Sequence, residues 1–197
     1  MAELVFTVLS QHTSDANSER AFNSLRRRFP TWEEAAAAPV EEIAAAIRAG
    51  GLAEQKAPRL KRILEEIERR EGALTLDRLT SLEDARIADY LISLPGVGPK
   101  TAACVLAFSL GRPAFPVDTH VHRIAVRLGW VKRGATAEQV HRDLAPRIPP
   151  EIRYDLHAAF VRHGREVCRA LTPRCGDCVL LDLCDSGPSY VAAGQAG

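Results

Sequence analysis

Four cysteines near the end of the chain constrain its fold more than any other feature. They follow the pattern Cys168-x6-Cys175-x2-Cys178-x5-Cys184. Four thiolates on one short segment can close a single Cys₄ metal site. Structural zinc sites usually pair two short Cys or His steps, whereas this segment has only one, Cys175-x2-Cys178. The spacing therefore favours an iron–sulfur cluster and leaves zinc as the alternative.

The start of the chain bears on whether these cysteines form disulfides. Residues 1–10 show neither the basic start nor the small-residue cleavage site of a secretory leader. We therefore expect a cytoplasmic, reducing environment, in which clustered cysteines bind a metal rather than each other. No apolar run approaches the length of a membrane span, so we expect no membrane association.

A glycine-rich motif, LPGVGPKTA, occupies residues 94–102. A Pro-Gly pair ends a helical stretch that we expect over 82–93, and Pro99 suits the first turn of a new helix. Gly96 and Gly98 let the backbone approach a ligand closely, and the free amides at the new helix start favour a phosphate. The motif lacks the spacing of a nucleotide-binding P-loop and has no preceding strand. It predicts a helix, a tight hairpin and a second helix.

Apolar residues recur at helical spacing through much of the chain, and no alternating run bounded by turn residues predicts a strand. The predicted core-facing stripes are Leu60, Ile63, Leu64 and Ile67; Ala102, Val105, Leu106 and Ser109; Val121, Ile124, Ala125 and Leu128; and Leu156, Ala159, Phe160 and His163. Cys104 falls on the apolar side of the second stripe and is predicted to be a core residue. Asp118 directly precedes the third stripe and is a natural N-cap. The pattern predicts an all-α fold.

Charge is spread unevenly, although the net charge is only +1. Residues 31–89 contain 13 acidic and 9 basic side chains. Residues 93–135 contain six basic side chains against one acid, Asp118. A basic segment around the hairpin is what a phosphate-binding surface requires. A solvated positive surface without a partner would have the same composition, so charge alone does not assign a function.

Three motifs together, LPGVGPKTA, then PVDTH at 116–120, then the four-cysteine pattern, closely resemble endonuclease III in their order and spacing. Endonuclease III is the iron–sulfur branch of the helix-hairpin-helix DNA glycosylases, and the resemblance runs from about Leu4 to Cys184. It implies an all-α helix-hairpin-helix DNA glycosylase fold with two helical domains and a DNA-binding cleft between them. By this resemblance, residues 1–112 form the hairpin domain and 113–197 the cluster domain. The implied ligands of a [4Fe–4S] cluster are Cys168, Cys175, Cys178 and Cys184.

The resemblance assigns the chemistry to Lys100 and Asp118. The Lys100 amine would attack C1′ of a flipped nucleotide, displace the base and leave a Schiff base, and elimination would then break the strand on the 3′ side. The amine must first lose its proton. We expect desolvation to drive most of that loss, because a helix terminus contributes only about 0.3–1 kcal/mol. Asp118 would stabilise positive charge on the sugar or transfer protons. From the residues alone, a phosphate contact for Lys100 and a plain N-cap for Asp118 stay open.

Further residues are predicted to contact DNA. In ungapped register the family's gap-filling glutamine falls on His12 rather than on Gln11, which is a departure from the family pattern. Leu52, which follows Gly51, matches the family's wedge leucine, and a buried loop leucine is the alternative. His120 would face the same cleft, with a solvent-facing or capping histidine as the alternative. The full predicted set is Gly96, Val97, Gly98, Leu52, His12, His120 and Arg174, with Arg169 as a further phosphate contact.

These features predict a bifunctional DNA N-glycosylase and abasic-site lyase of base-excision repair. The expected substrate is double-stranded DNA that contains oxidised pyrimidines or abasic sites, and the expected state is a monomer. The alternatives are an adenine-type or mismatch-specific glycosylase of the same superfamily, which usually lacks the hairpin lysine, and a non-catalytic, redox-sensing iron–sulfur DNA-binding protein. In a bacterium we expect the protein in the cytoplasm, associated with the nucleoid.

The first residues differ from the family in one respect. Relatives generally have an additional N-terminal helix that completes the cluster domain, whereas Met1 here lies almost directly before the apolar stretch 4–9. We expect a version extended upstream to melt at a higher temperature and to self-associate less, because less apolar surface would be exposed. The chemistry of Lys100 should not change.

Overall fold

A computed structural model describes residues 1–194 of the 197-residue chain. Throughout that range the backbone forms helices, turns and loops without any strand, which confirms the all-α prediction. None of the described helices is long and apolar enough to span a membrane. The chain divides into two compact units, Met1–Arg112 and Pro113–Gly197.

Unit 1 (Met1–Arg112) is built from helices that start at recognisable caps. Its α-helices are α1 (Ala2–Leu9), α2 (Asp15–Arg28), α3 (Trp32–Ala37), α4 (Val40–Ile47), α5 (Ala53–Glu71), α6 (Asp84–Ile92) and α7 (Pro99–Cys104). Shorter 3₁₀ turns cover Arg48–Gly50 and Asp77–Ser81. The Ser14 and Thr31 hydroxyls accept hydrogen bonds from backbone amides in the first turns of α2 and α3. Helix α5 ends at Gly72, whose φ of +74° suits glycine.

The core of unit 1 follows the predicted stripe of α5. Leu60, Ile63, Leu64 and Ile67 are all fully buried, which confirms this stripe. The stripe of the hairpin's second helix is only partly right. Ala102, Val105 and Leu106 are buried, as is Cys104, but Ser109 is exposed. The physical reason is a π-helical turn at Val105–Ser109, because its wider repeat rotates the following residues away from the face that an α-helix would bury.

Unit 2 (Pro113–Gly197) has fewer helices and longer connections. Its α-helices are α8 (Thr119–Arg127), α9 (Ala137–Leu144), α10 (Arg153–Glu166) and α11 (Gly187–Ala192), with 3₁₀ turns at Ala145–Arg147, Pro150–Ile152, Cys175–Asp177 and Leu181–Leu183. The α8 stripe of Val121, Ile124, Ala125 and Leu128 is buried as predicted. Residues 168–184, which contain the four cysteines, form a segment of 3₁₀ turns and loops that we call the cysteine loop.

The predicted stripe of α10 is wrong at one position. Phe160 is buried as predicted, and Leu156 and His163 are half-buried, but Ala159 is exposed. The helix also buries His157 and Gly164, which the stripe did not include. The imidazole of His157 hydrogen-bonds through Nδ1 to the Pro116 carbonyl oxygen at 2.8 Å. A buried histidine that is satisfied in this way takes a core position that periodicity of apolar residues would not assign to it.

Candidate active site and metal centre

The hairpin between α6 and α7 places its glycines where the backbone geometry needs them. Gly96 has a φ of +72°, a conformation that side chains disfavour. The Val97 amide donates to the Leu94 carbonyl at 3.2 Å and closes the turn, while the Val97 side chain is buried. Gly98 is the N-cap of α7, and the space where its Cβ would stand is open to 4 Å. A ligand can therefore approach this backbone without a steric barrier.

Lys100 lies in the first turn of α7, directly after the hairpin, and is partly buried. Glu3 on α1 lies close enough for its charge to interact with that of Lys100. Burial raises the pKa of the Glu3 carboxyl, while a hydrogen bond from Thr7 at 3.0 Å and the charge of Lys100 act in the opposite direction. Glu3 was not singled out by sequence, because it lies 97 positions from Lys100 in a helix without a motif.

Asp118 occupies the N-cap of α8 in unit 2, as the sequence predicted. Its Oδ1 accepts a hydrogen bond from the Val121 amide at 2.7 Å, and its carbonyl oxygen accepts one from the His122 amide at 2.9 Å. The residue is partly exposed and follows three buried residues at 115–117. The cap uses one carboxylate oxygen, so a cap and a reactive carboxylate are compatible in the same side chain.

His120, two residues further on, packs against α10. A Cβ at Gly164 would lie 2.6 Å from the imidazole Nδ1, so α10 needs glycine at this contact. Arg123 Nη2 lies 3.1 Å from the same nitrogen and also donates to the Gly164 carbonyl at 2.8 Å. These contacts hold the ring of His120 in one orientation in unit 2.

His12 and Leu52, the predicted gap filler and wedge, share an uncommon backbone. They are the two non-glycine residues with positive φ among the described residues, at +53° and +52°. Both side chains are exposed, and both residues sit in loops immediately before a helix of unit 1. A left-handed conformation costs about 1–2 kcal/mol for a residue with a Cβ. Such strain is typical of sites where a side chain must be presented in a fixed direction.

The four cysteines of the cysteine loop line one common cavity in unit 2, together with His163, Leu180 and Tyr190. Cys178 Sγ lies 3.6 Å from His163 Nε2. Burial raises the pKa of the Cys175 and Cys178 thiols. Across residues 1–194, no three His, Cys, Asp or Glu side chains converge on one point as ligands of a single ion do. A polynuclear cluster takes each thiolate at a different iron, so its ligands need to surround a volume rather than meet at a point.

Arg127 on α8 holds the start of the cysteine loop. Its Nη1 donates to Cys168 Sγ at 3.2 Å and to the Arg169 carbonyl at 2.7 Å, and its Nη2 donates to the Ala170 carbonyl at 2.8 Å. The guanidinium also lies over the ring of Tyr190, 5.0 Å from the centroid. One turn earlier, Arg123 Nε donates to the Cys168 carbonyl at 2.9 Å. The i, i+4 spacing of the two arginines was visible in the sequence, but no pattern links them to the loop.

The two arginines that the sequence proposed as phosphate contacts are on the surface of the loop. Arg174 is exposed and forms an ion pair with Asp177, with 2.7 Å between Nη2 and Oδ2. Arg169 is exposed, and its carbonyl is one of the acceptors for Arg127. Exposed ion pairs of this kind contribute little stability, so a phosphate could compete with Asp177 for the guanidinium.

The fold and the hairpin define a class of protein. Residues 5–150 match the HhH-GPD superfamily of base excision DNA repair proteins. Endonuclease III of Thermotoga maritima is 38% identical over 92% of this chain, and the match covers 81% of that protein. A solved structure of a trapped endonuclease III–DNA covalent intermediate superposes with a TM-score of 0.84 at 32% identity, covering 96% of this chain and 84% of that one. The chain belongs to the endonuclease III family within this superfamily.

A plant protein extends the comparison. A protein of Arabidopsis thaliana that is assigned to the DNA glycosylases is 43% identical over 82% of this chain. This chain spans only 55% of the length of that protein. Members of the endonuclease III family bind a [4Fe–4S] cluster, and the four-cysteine cavity is the place in this chain where the donor set suits one.

Proposed function

We propose that this protein is a bifunctional DNA N-glycosylase and abasic-site lyase of base-excision repair that removes oxidised pyrimidines. The observation that supports the proposal best is a lysine in the first turn of α7, directly after a hairpin whose backbone is open to a ligand at Gly98. The trapped covalent DNA complex of endonuclease III is the kind of species that an attacking amine forms. Its substrate is double-stranded DNA containing a damaged base or an abasic site.

Lys100 is the nucleophile in this proposal. Its Nζ forms a bond to C1′ of the flipped nucleotide as the glycosidic bond breaks, and the base leaves with the bonding electron pair. The amine must be neutral to attack, so a closed complex with DNA has to exclude water around it. After base loss, proton removal from C2′ of the Schiff base breaks the strand on the 3′ side.

Asp118 supplies the second charge. A carboxylate there stabilises the positive charge that develops on the sugar as the base leaves, or takes up and returns the proton of the attacking group. The Val121 amide at 2.7 Å fixes the carboxylate in direction, which is the preorganisation that such electrostatic stabilisation requires.

The hairpin backbone at Gly96, Val97 and Gly98 is proposed to hold a phosphate of the DNA backbone. Leu52 and His12 are proposed to insert into the DNA double helix beside the flipped nucleotide. The exposed, left-handed conformation of both supports this role. His120 and Arg174 complete the proposed DNA contacts from unit 2. Arg174 would exchange Asp177 for a phosphate when DNA binds.

The proposed cofactor is a [4Fe–4S] cluster held by Cys168, Cys175, Cys178 and Cys184. Four soft thiolates around one mostly apolar cavity suit this group. When bound, the cluster supplies a rigid cross-link of the cysteine loop and leaves the bond-breaking steps to Lys100 and Asp118. The loop then presents Arg174 in a fixed position.

Borohydride trapping on an abasic duplex tests the nucleophile. The wild-type protein should become covalently linked to DNA, because the reductant captures the Schiff base. Lys100→Ala should retain DNA binding and lose both trapping and strand cleavage, whereas Lys132→Ala, at an exposed lysine of unit 2, is the matched control and should trap normally. Asp118→Asn should keep the amine and slow base release by about 10²–10⁴-fold. Full trapping by Lys100→Ala would show that another amine attacks.

A further inference from the structure

Arg59 on α5 contacts both the loop between α1 and α2 and the hairpin at Gly96, which are far apart in the sequence. Its Nη1 donates to Gln11 Oε1 at 2.8 Å, across 48 positions of sequence. Its side chain also crosses the hairpin: a Cβ at Gly96 would lie 2.5 Å from Arg59 Cδ and 2.6 Å from its Nε. The positive φ favours glycine at position 96, and the absence of a side chain there leaves room for Arg59 to lie over the hairpin.

The loop between α1 and α2 needs such an anchor. It contains His12 in a left-handed conformation and is only five residues long, 10–14. A strained conformation persists only where the surroundings hold it in place. The hydrogen bond from Arg59 is charge-assisted and partly buried, which makes it stronger than one between neutral exposed groups. It fixes the side chain directly before His12.

We infer that Arg59 is a positioning residue that fixes the loop carrying Gln11 and His12 to the phosphate-binding hairpin at Gly96. This inference rests on the proposed function. A side chain that fills the space left by a flipped nucleotide has to be held at a fixed distance from the place where the hairpin grips the backbone. Arg59 touches both elements with one side chain, so the loop and the hairpin meet DNA as one preorganised surface.

The simpler role for an arginine beside a hairpin is a direct phosphate contact. The two roles make different predictions for Gln11. A positioning role requires the acceptor as much as the donor, whereas a phosphate contact depends only on the cation. Substitutions at Arg59 and at Gln11 therefore separate the effect of the arginine's charge from the effect of its hydrogen bond to the loop.

The experiment compares Arg59→Met, Gln11→Met and the double variant in the complete protein. Arg59→Met keeps an unbranched side chain over Gly96 but cannot donate a hydrogen bond to Gln11. Removing a hydrogen bond to a charged group should slow single-turnover excision of an oxidised pyrimidine from duplex DNA by about tenfold in each single variant. The double variant should be no slower than either single one, because both changes remove the same interaction.

Cleavage of a single-stranded abasic oligonucleotide separates positioning from general damage. This substrate has no opposite strand and no gap to fill, so Arg59→Met and Gln11→Met should cleave it within about twofold of wild type, well below the tenfold loss on duplex. Arg59→Lys, which retains a donor, should recover part of the duplex activity. Arg62→Met is the matched control: Arg62 is an exposed arginine on the same helix, and its Nε donates to the Pro58 carbonyl.

Three results would overturn the inference. Normal duplex excision by Gln11→Met, with a salt dependence of DNA binding reduced by about one unit in Arg59→Met, would make Arg59 a phosphate contact. Equal losses on duplex and single-stranded substrates would indicate general damage to unit 1. Additive losses in the double variant would show that the two side chains act independently. A wild-type protein that neither excises nor cleaves would instead refute the proposed function, and this role with it.

Discussion

The hairpin-bearing unit and the cysteine loop are stabilised by different forces. Unit 1 buries an apolar stripe on α5 completely, from Leu60 to Ile67. In the cysteine loop, by contrast, Leu171, Val179 and Leu183 are 90%, 89% and 72% exposed. Polar contacts to Arg127 attach the start of the loop. Apolar burial therefore stabilises one region, whereas hydrogen bonds, together with the proposed cluster, stabilise the other.

The largest effect should come from removing one cysteine of the loop. Cys175→Ser should abolish cluster assembly and unfold residues 168–184, because few buried apolar side chains remain to order them. Visible absorbance, iron content of about four per chain in the wild type and proteolysis of the loop measure this. Cys104→Ala is the matched control, since Cys104 lies in the core of unit 1. A Cys175→Ser protein with a full iron complement would refute the assignment of Cys175 as a ligand. A wild-type preparation that is active, colourless and contains one zinc per chain would refute the iron–sulfur cluster.

The next largest effect should come from replacing leucine by alanine, and its size should differ between unit 1 and the cysteine loop. Leu64→Ala should destabilise unit 1 by about 2–5 kcal/mol, because it leaves a cavity in a packed core. Leu183→Ala in the cysteine loop should change stability by less than about 0.5 kcal/mol, because that leucine is mostly exposed. Denaturant unfolding, followed separately by far-ultraviolet circular dichroism and by cluster absorbance, provides the measurement. Equal losses would mean that the loop leucine is covered in solution.

The same contrast explains which features could be predicted from sequence. The α5 and α8 stripes, the Asp118 cap and the hairpin follow from local periodicity, capping chemistry and glycine geometry, and all are present. The π-helical turn after α7 and the buried His157 were missed, because each depends on tertiary contacts that periodicity does not encode. Arg59, Glu3 and Arg127 were missed for the same reason: each contacts or influences residues at least 37 positions away in the sequence.

A smaller effect should come from Arg127, which tests whether hydrogen bonds alone order the start of the loop. Arg127→Met should weaken the attachment of residues 168–170 by about 2 kcal/mol, because one sulfur and two carbonyl acceptors lose their donor together. Iron release to a chelator should accelerate, while unfolding of unit 1 stays unchanged. Arg133→Met, at an exposed arginine just beyond α8, is the control. Unaltered iron release in Arg127→Met would mean that the cluster orders the loop without the arginine.

The smallest effect concerns one carboxyl group within unit 1 itself, where apolar burial otherwise dominates. Burial raises the pKa of Glu3, so the folded unit favours the neutral carboxyl, and ionisation lowers the stability of unit 1 as the pH rises through that raised value. Glu3→Gln stays neutral and should remove this loss, so its free energy of unfolding should match that of the wild type at low pH and slightly exceed it near neutral pH. Denaturant unfolding at a series of pH values measures the difference, with Glu54→Gln, at an exposed glutamate on α5, as the control. A Glu3→Gln protein that is less stable than the wild type near neutral pH would mean that the attraction between the charges of Glu3 and Lys100 outweighs the cost of burying the carboxylate.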